Sequence, residues 1–386
     1  MTEEPTSKRR RRLLGTLASA GLVGVAGCGG QDETPTETGE SGESSMGAAE
    51  FDEFRGSGAL VEGRDELSGT RIADLPELSG ELTVYLGGGE GGLYRDLITK
   101  LENIYPDFSA TPRDMGTAEG ANQIISEGPA SPADVFWSVD AGSLAAVAAE
   151  DLTAELPAEV VADVPEEFHP DNAWVGTAGR ARAVPYNSNE LSADDIPDTV
   201  MEFPDQPFAS EMGWAPTYGA FQAFVTAMRL QEGEERTRTW LENMLEAGVT
   251  EYNNEFLVSN AAADGELQAG FANHYYALRV QAARPDSPLE LAFTSGDAGA
   301  LINVAGTAVL SASDKQELAN NFVHHLLSTE AQEFFATRTY AYPMIPGVPP
   351  VGDLPSIDEL NPPDIDLSQL SEIGPTVELM REAGVL

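Results

Sequence analysis

The sequence predicts an α/β fold built as two units, on three observations. Segments of strand character alternate with amphipathic helices along most of the chain, which produces mostly parallel sheets covered by helices. About 310 residues carry this pattern, more than a single hydrophobic core ordinarily serves, so two such units are expected. Finally, 41% of the 386 residues are apolar, enough to build a core although the chain has 64 acidic against 21 basic residues.

The elements follow in order. Glu81-Leu82-Thr83-Val84-Tyr85-Leu86 reads as a strand. A glycine loop follows, and then Leu93 to Tyr105 reads as a helix from its apolar spacing. Ala133 to Trp137 is a strand and Ser143 to Glu150 a helix; Ala181 to Pro185 is strand-like. Phe221 to Gln231 and Glu235 to Ala247 read as helices. Gln268 to Ala272 is a strand running into a helix from about Tyr276. Ala300 to Leu310 is strand-like, and Lys315 to Thr337 reads as one helix. The tail after Pro346, proline-rich and then acidic, is expected to wrap the surface. No internal repeat is present.

The N-terminus is an export signal. Lys8 and Arg9 to Arg12 precede a short apolar run, Leu13 to Ala26, and a small-residue cleavage site, Val25-Ala26-Gly27-Cys28. The run is too short for a transmembrane helix. The paired arginines resemble a twin-arginine signal, and Val-Ala-Gly-Cys resembles a lipobox, whose cysteine is lipidated and becomes the mature N-terminus. Cys28 is the only cysteine, so neither an intrachain disulfide nor a Cys-Cys metal site is possible. Residues 1–27 are therefore expected to be removed. The segment 28–79 is read as an acidic tether, clearest from Gln31 to Glu50, with a partly ordered lead-in over 51–79.

The signal holds five basic and two acidic residues, leaving 16 basic and 62 acidic residues, a net charge of −46, in the mature chain. Self-repulsion on this scale needs screening by salt, a pattern similar to that of haloarchaeal proteins. It argues against nucleic acid and anionic membrane surfaces as partners. A cationic ligand suits it.

Two constellations carry chemistry. Gly87-Gly88-Gly89-Glu90-Gly91-Gly92 contains a G-x-G-x-x-G between strand and helix. It has neither the Lys-Ser/Thr of a P-loop nor a ribose-binding acid on a following strand. What remains is a backbone open to an anion at a helix N-terminus, or a flexible turn. The second is Asn273-His274-Tyr275-Tyr276, where a strand ends and a helix begins. Side chains about 100° apart at a helix start let both phenols face one cleft. Phenolate is a hard oxygen donor suited to Fe(III), although a phenol pKa near 10 means that the metal must displace the proton. Two packed aromatics are the alternative.

Several segments occur in an order that carries a resemblance: Glu81 to Gly89, Ala133 to Gly142, Gly179-Arg180-Ala181-Arg182, Gly213-Trp214-Ala215-Pro216-Thr217, Asn273 to Tyr276, and Asn303-Val304-Ala305-Gly306. Tyr342-Pro343 and Pro346 to Pro350 follow. Over residues 80–350 the set resembles the ferric-iron-binding substrate-binding proteins of ABC importers, of the periplasmic-binding-protein type II family. The resemblance implies two α/β lobes, each a mixed, mostly parallel sheet flanked by helices, joined by crossing strands with the ligand in the cleft. Lobe 1 would comprise 80–183 and 295–345, lobe 2 184–294, and the tail 346–386. The family holds Fe(III) with paired tyrosines, as at Tyr275 and Tyr276. Some members add a third from the segment where Tyr218 lies; a cleft-lining aromatic is the alternative for Tyr218. A companion anion, usually carbonate, would be bound by Arg182 with Gly88 and Gly89. For Arg182 an ordinary ion pair is the alternative.

The first lobe departs from that pattern. Many members place Arg, then His and sometimes Tyr, after the first strand, where this chain has Gly88, Gly89 and Glu90. Others use a glutamate where Val139 stands beside Asp140. Glu90 and Asp140 are the remaining oxygen donors; a solvent-exposed side chain is the alternative for Glu90, and Asp140 is also a natural N-cap for the helix near Ser143. His274 is expected to hydrogen-bond behind the tyrosines. The implied protein is a monomeric, lipid-anchored binder on the outer face of the membrane, delivering Fe(III) or a small ferric chelate to a permease. A related binder of another metal, thiamine or a polyamine could use Trp214 with the tyrosines as an aromatic cage. An enzyme is disfavoured: the chain lacks G-x-S-x-G, H-E-x-x-H and a cysteine nucleophile.

Overall fold

The structure is a computed structural model that describes residues 53–64, 67–88, 92–352 and 354–386. The export signal, Cys28, the segment up to residue 52, Gly89 and Glu90 lie outside the described residues. In the first lobe, strand β1 (Gly80–Gly87) pairs in parallel with β2 (Phe108–Met115) on one side and β3 (Val135–Ser138) on the other. Helices α1 (Leu93–Ile104) and α2 (Thr117–Glu127) make the crossovers, and α3 (Ala141–Ala149) follows β3. Tyr94, Leu97, Ile98 and Leu101 form the buried stripe of α1, at the spacing that turns one helical face inward.

Strand β4 (Val175–Asn187) runs out of this lobe, and the chain then builds a second, smaller sheet. There β5 (Met212–Trp214) lies parallel to both β6 (Thr250–Glu251) and β7 (Ala269–Gly270). Strands β8 (Ala272–Asn273) and β9 (Leu289–Ala292) follow, and β10 (Ile302–Val309) returns to the first lobe. The strand order is β2-β1-β3-β10-β4-β7-β5-β6, with β8 and β9 also on β4. Strand β4 therefore serves both sheets. Its Val175–Ala181 half is antiparallel to β10, and from Arg182 onward it pairs with β8, β7 and β9.

Helices α4 (Gly219–Glu232), α5 (Glu234–Ala247), α6 (Glu255–Asp264) and α7 (His274–Ala283) belong to the second lobe. Helices α8 (Gln316–Leu326) and α9 (Thr329–Phe334) complete the first. The single helix expected over 315–337 is broken because the Ser328 hydroxyl caps a new helix start, accepting from the Ala331 amide at 3.3 Å. Each lobe has its own aromatic core. Trp137 stacks on Tyr94 at 4.5 Å and meets Phe322 and Phe335 edge-on. In the other lobe, Trp214 packs against Phe221 and Trp240. Trp214 is fully buried, which removes it from any cleft-lining cage.

The described lead-in residues pack against α9. Glu330 and Glu333 of α9 are fully buried, and arginines of the lead-in reach them: Arg55 at 2.6 Å and Arg64 at 2.8 Å from Glu333, with Arg71 on Glu330. Arg338 returns the contact by donating to the carbonyls of Glu53 and Phe54. The C-terminal tail does more than cover surface. Its Leu367–Ser371 turn lies on α3, so closely that a Cβ on Gly142 would meet the Ser371 nitrogen at 2.8 Å. Its last helix, α10 (Ile373–Glu382), packs on α4 and α5 of the second lobe, with Thr376 and Thr226 hydroxyls 2.9 Å apart. The tail is thus a third connection between the lobes.

His325 on α8 is fully buried, with Nδ1 2.7 Å from the Asn321 carbonyl and Nε2 3.0 Å from the Tyr105 hydroxyl. Burial lowers its pKa to about 4. The unfolded chain takes up this proton near pH 6.5 and the folded chain only near pH 4. Stability contributed by neutral His325 is therefore complete above that window and is lost as pH falls through it, by on the order of 3 kcal/mol. His325→Gln is expected to flatten the acid limb of stability between pH 6.5 and 4 in chemical denaturation at fixed high salt.

Candidate functional site

The site lies where β4 passes from one sheet to the other. Arg182 stands opposite Asn273 in the β4–β8 register, and α7 begins at the next residue, His274. The abrupt change from strand to helix places Tyr275 and Tyr276 in the first turn of α7, with ring centroids 4.2 Å apart at 42°. Tyr218 is the N-cap residue of α4, and its hydroxyl hydrogen-bonds the Tyr276 hydroxyl. Tyr276 also hydrogen-bonds Tyr275, so three phenols converge. Tyr275 and Tyr276 are 4% and 9% exposed, so neither is a surface aromatic.

The electrostatics explain the resting state. Burial pushes the Tyr276 phenol well above its ordinary value, and the neighbouring Tyr275 and Tyr218 hydroxyls add to the shift. Without a cation Tyr276 is protonated. Groups that favour phenolate surround it. The Arg279 guanidinium lies 4.9 Å from the Tyr275 ring centroid and 5.7 Å from that of Tyr276, and Arg180 lies 5.8 Å from Tyr275. The tyrosines also sit at the N-terminal ends of α4 and α7, where helix dipoles favour negative charge. Arg279 escaped the sequence reading, although its spacing of four from Tyr275 and three from Tyr276 puts it on their helical face.

His274 is fully buried behind the tyrosines. Its Nε2 donates to the Tyr340 carbonyl at 2.8 Å, and its Nδ1 lies 3.2 Å from the Ala181 amide, which donates to it. Desolvation lowers its pKa to about 4, so it is neutral at physiological pH. It fixes the start of α7 against β4 and the Tyr340 segment.

Tyr218 and Tyr275 open on a cavity of about 490 Å³ between the lobes. Its floor includes Arg180, Arg182, Asn273 and Asn303. Arg182 is 3% exposed; its Nη1 is ion-paired to the fully buried Glu255 and also donates to Asn273 Oδ1 at 3.2 Å. Glu255 in turn accepts the Asn273 amide at 2.8 Å. Arg182 Nη2 is buried without a hydrogen-bond partner. The first-lobe wall comes from α2 and α3. Asp140 lies in it, with its carboxylate accepting from the Ser143 amide at 2.7 Å and the Ser143 hydroxyl at 3.2 Å. It therefore caps α3. Gly88 has φ +86° and lies against Val139 beside the cavity, outside its lining. Among the described residues no group of three His, Cys, Asp or Glu side chains is placed to hold a metal, so the oxygen-rich cluster of this cleft is phenolic.

Two lobes joined by crossing strands, with a cavity of small-molecule size between them, define a solute-binding protein. Residues 130–366 match the model of the bacterial extracellular solute-binding proteins, and the chain belongs to that family. It is 30% identical to the major ferric iron-binding protein of Neisseria meningitidis over 83% of this chain and 97% of that protein. Identity is also 30% to the Fe(3+)-binding periplasmic protein of Serratia marcescens, over 72% of this chain and 83% of that one. Among solved structures, iron-bound HitA from Pseudomonas aeruginosa superposes with a TM-score of 0.69 at 29% identity, covering 79% of this chain and 99% of its own. The two-lobed architecture is common to this chain and that structure.

The Arg182–Glu255 pair generates a test of the site's foundation. Arg182→Met leaves a fully buried carboxylate without its cation and is expected to lower unfolding free energy by about 3–5 kcal/mol. The double variant Arg182→Met/Glu255→Met is expected to recover most of the loss, as measured by denaturant unfolding in high salt.

Proposed function

We propose that this protein captures Fe(III) in the cleft through the phenolates of Tyr275, Tyr276 and Tyr218 and delivers it to an ABC permease. The observation that carries the proposal is the convergence of three phenol hydroxyls, with Tyr276 hydrogen-bonded to both Tyr218 and Tyr275 and the latter two lining one cavity. The family assignment and the relatives named as ferric iron-binding proteins support it.

The ion enters a protonated cluster and displaces the phenol protons. Three phenolates then balance its three positive charges. Arg180 and Arg279 against the rings favour the deprotonated state, so the raised pKa of Tyr276 is overcome by the ion and the local field together. The donors come from the second lobe. Of the two first-lobe candidates, Glu90 lies outside the described residues and Asp140 is engaged at the α3 cap. An anion on the spare nitrogen of Arg182 completes the shell. Closure of the lobes about β4 and the β9–β10 connection follows from tighter binding to the closed state, and the closed form is what the permease recognises. A lipid on Cys28 holds the protein on the outer face of the membrane.

Ferric citrate added to the soluble domain in high salt is expected to give a visible tyrosinate-to-iron charge-transfer band. Tyr275→Phe and Tyr276→Phe should each weaken or shift it; a band unchanged in both variants refutes the site. Cys28→Ser is expected to abolish membrane association, moving the protein from the membrane fraction into the medium on immunoblots.

A further inference from the structure

We infer that the C-terminal tail is a latch between the lobes: its Leu367–Ser371 turn seats on α3 of the first lobe at Gly142 by packing alone, and parts from it when the lobes separate. The inference goes beyond the ferric reading, since it concerns how the lobes are held together and not what they hold.

From Asn361 onward the tail is fastened to one side. The Asn361 carbonyl accepts from the Gly296 amide at 2.8 Å, and its side-chain amide donates to the Ser295 hydroxyl at 3.1 Å, both on the β9–β10 connection. Helix α10 then lies on α4 and α5, with Leu379 and Met380 buried. Besides the contact of Thr376 with Thr226, Arg229 Nε donates to the Thr376 hydroxyl at 3.1 Å, and Arg238 reaches Glu382 at 2.6 Å. Among the described residues, every hydrogen bond and ion pair that leaves this stretch ends on the second lobe or on that connection.

The contact with the first lobe is of another kind. The turn buries Leu370 and lies on α3 so closely that a Cβ on Gly142 would stand 2.8 Å from the Ser371 nitrogen and 3.0 Å from its Cα. Glycine is a poor helix residue, and here its missing Cβ is what lets the turn seat. A contact made only by packing can part without leaving a buried donor or acceptor unpaired. It is therefore the part of the tail that gives way when the lobes move.

Its place makes that movement matter. Leu370, Ser371 and Ile373 line the interlobe cavity between α3 and α4. The strand crossings β4 and β9–β10 set the axis about which the lobes rotate. The seat at Gly142 is on a helix of the cavity wall, off those strands, so rotation about them has to unseat the turn. A seated turn thus favours the joined arrangement whether or not cargo is present.

The test uses the exported chain with Cys28→Ser, which has no other cysteine, and adds Gly142→Cys with Ser371→Cys. A Cβ at 142 would stand 3.2 Å from the Ser371 Cβ, close to the spacing of about 3.5–4.5 Å in a disulfide. In high salt, the empty oxidised protein should give a smaller radius of gyration by small-angle scattering than the empty reduced one. Loaded with ferric ion, the oxidised form should lose it to excess chelator about tenfold more slowly than the reduced form. Gly142→Val, which crowds the turn off α3, should act the opposite way, with a larger radius and release about threefold faster than the chain with Cys28→Ser alone. Equal radii in all of these forms overturn the latch, as does equal release from all of them. Failure of the cysteine pair to oxidise also overturns it, because a seated turn holds the two sulfurs within bonding reach. If no form retains ferric ion, the ferric reading falls and the radii alone decide the latch.

Discussion

One strand holds the molecule together. β4 gives its first half to β10 and its second half to β7, β8 and β9. At the changeover, Arg182 is tied to Glu255 on α6 and to Asn273 at the foot of α7. Neither charge is accessible to water, so each depends on the other. This contact fixes where α6 and α7 start, and the start of α7 fixes where two of the three phenols point. The aromatic cores, the clamped lead-in and the tail stabilise the lobes on either side, but the site inherits its geometry from this junction.

The phenol cluster illustrates how burial and charge are set against each other. Removing Tyr276 from water raises its pKa, which keeps that phenol neutral and avoids a buried anion. The arginines stacked on the rings and the two helix N-termini keep the charged alternative within reach of a strong cation. On the proposed function, such an arrangement would discriminate by charge density, because a weakly polarising cation cannot displace a proton held as firmly as that of Tyr276. The acidic surface raises the local concentration of cations without selecting among them.

Much of this was legible in the sequence, for stated reasons. Strand β1, helix α1, strand β3 and helices α4 and α5 have clean periodicity and were placed to within a few residues. The Asn273–Tyr276 run marked the strand-to-helix junction, and Tyr218 was brought to it by the order of the segments, since no local pattern links residues 57 positions apart. What was missed had no local signal. β2 is an edge strand with Pro112, Arg113 and Asp114 among its residues, so its apolar face is short. α2 contains Gly120, which packs under Phe136 and lowers helix propensity for a tertiary reason. The first half of β4 is rich in glycine and alanine because β10 and Tyr342 approach closely there; a Cβ on Gly179 would meet the Tyr342 Cβ at 2.9 Å. The partnership of Arg182 with Glu255 spans 73 positions and is visible only in three dimensions.

All three phenols ride on one lobe, and this has a consequence for how cargo leaves. Parting the lobes would uncover an ion held there without severing any of its phenolate bonds, so hinge motion alone is a door and not a key. Departure becomes an exchange reaction, in which each oxygen must regain a proton or lose the metal to a competing ligand. A membrane partner that only pries the cleft open would receive nothing; it must also offer acid or better donors at the exposed face.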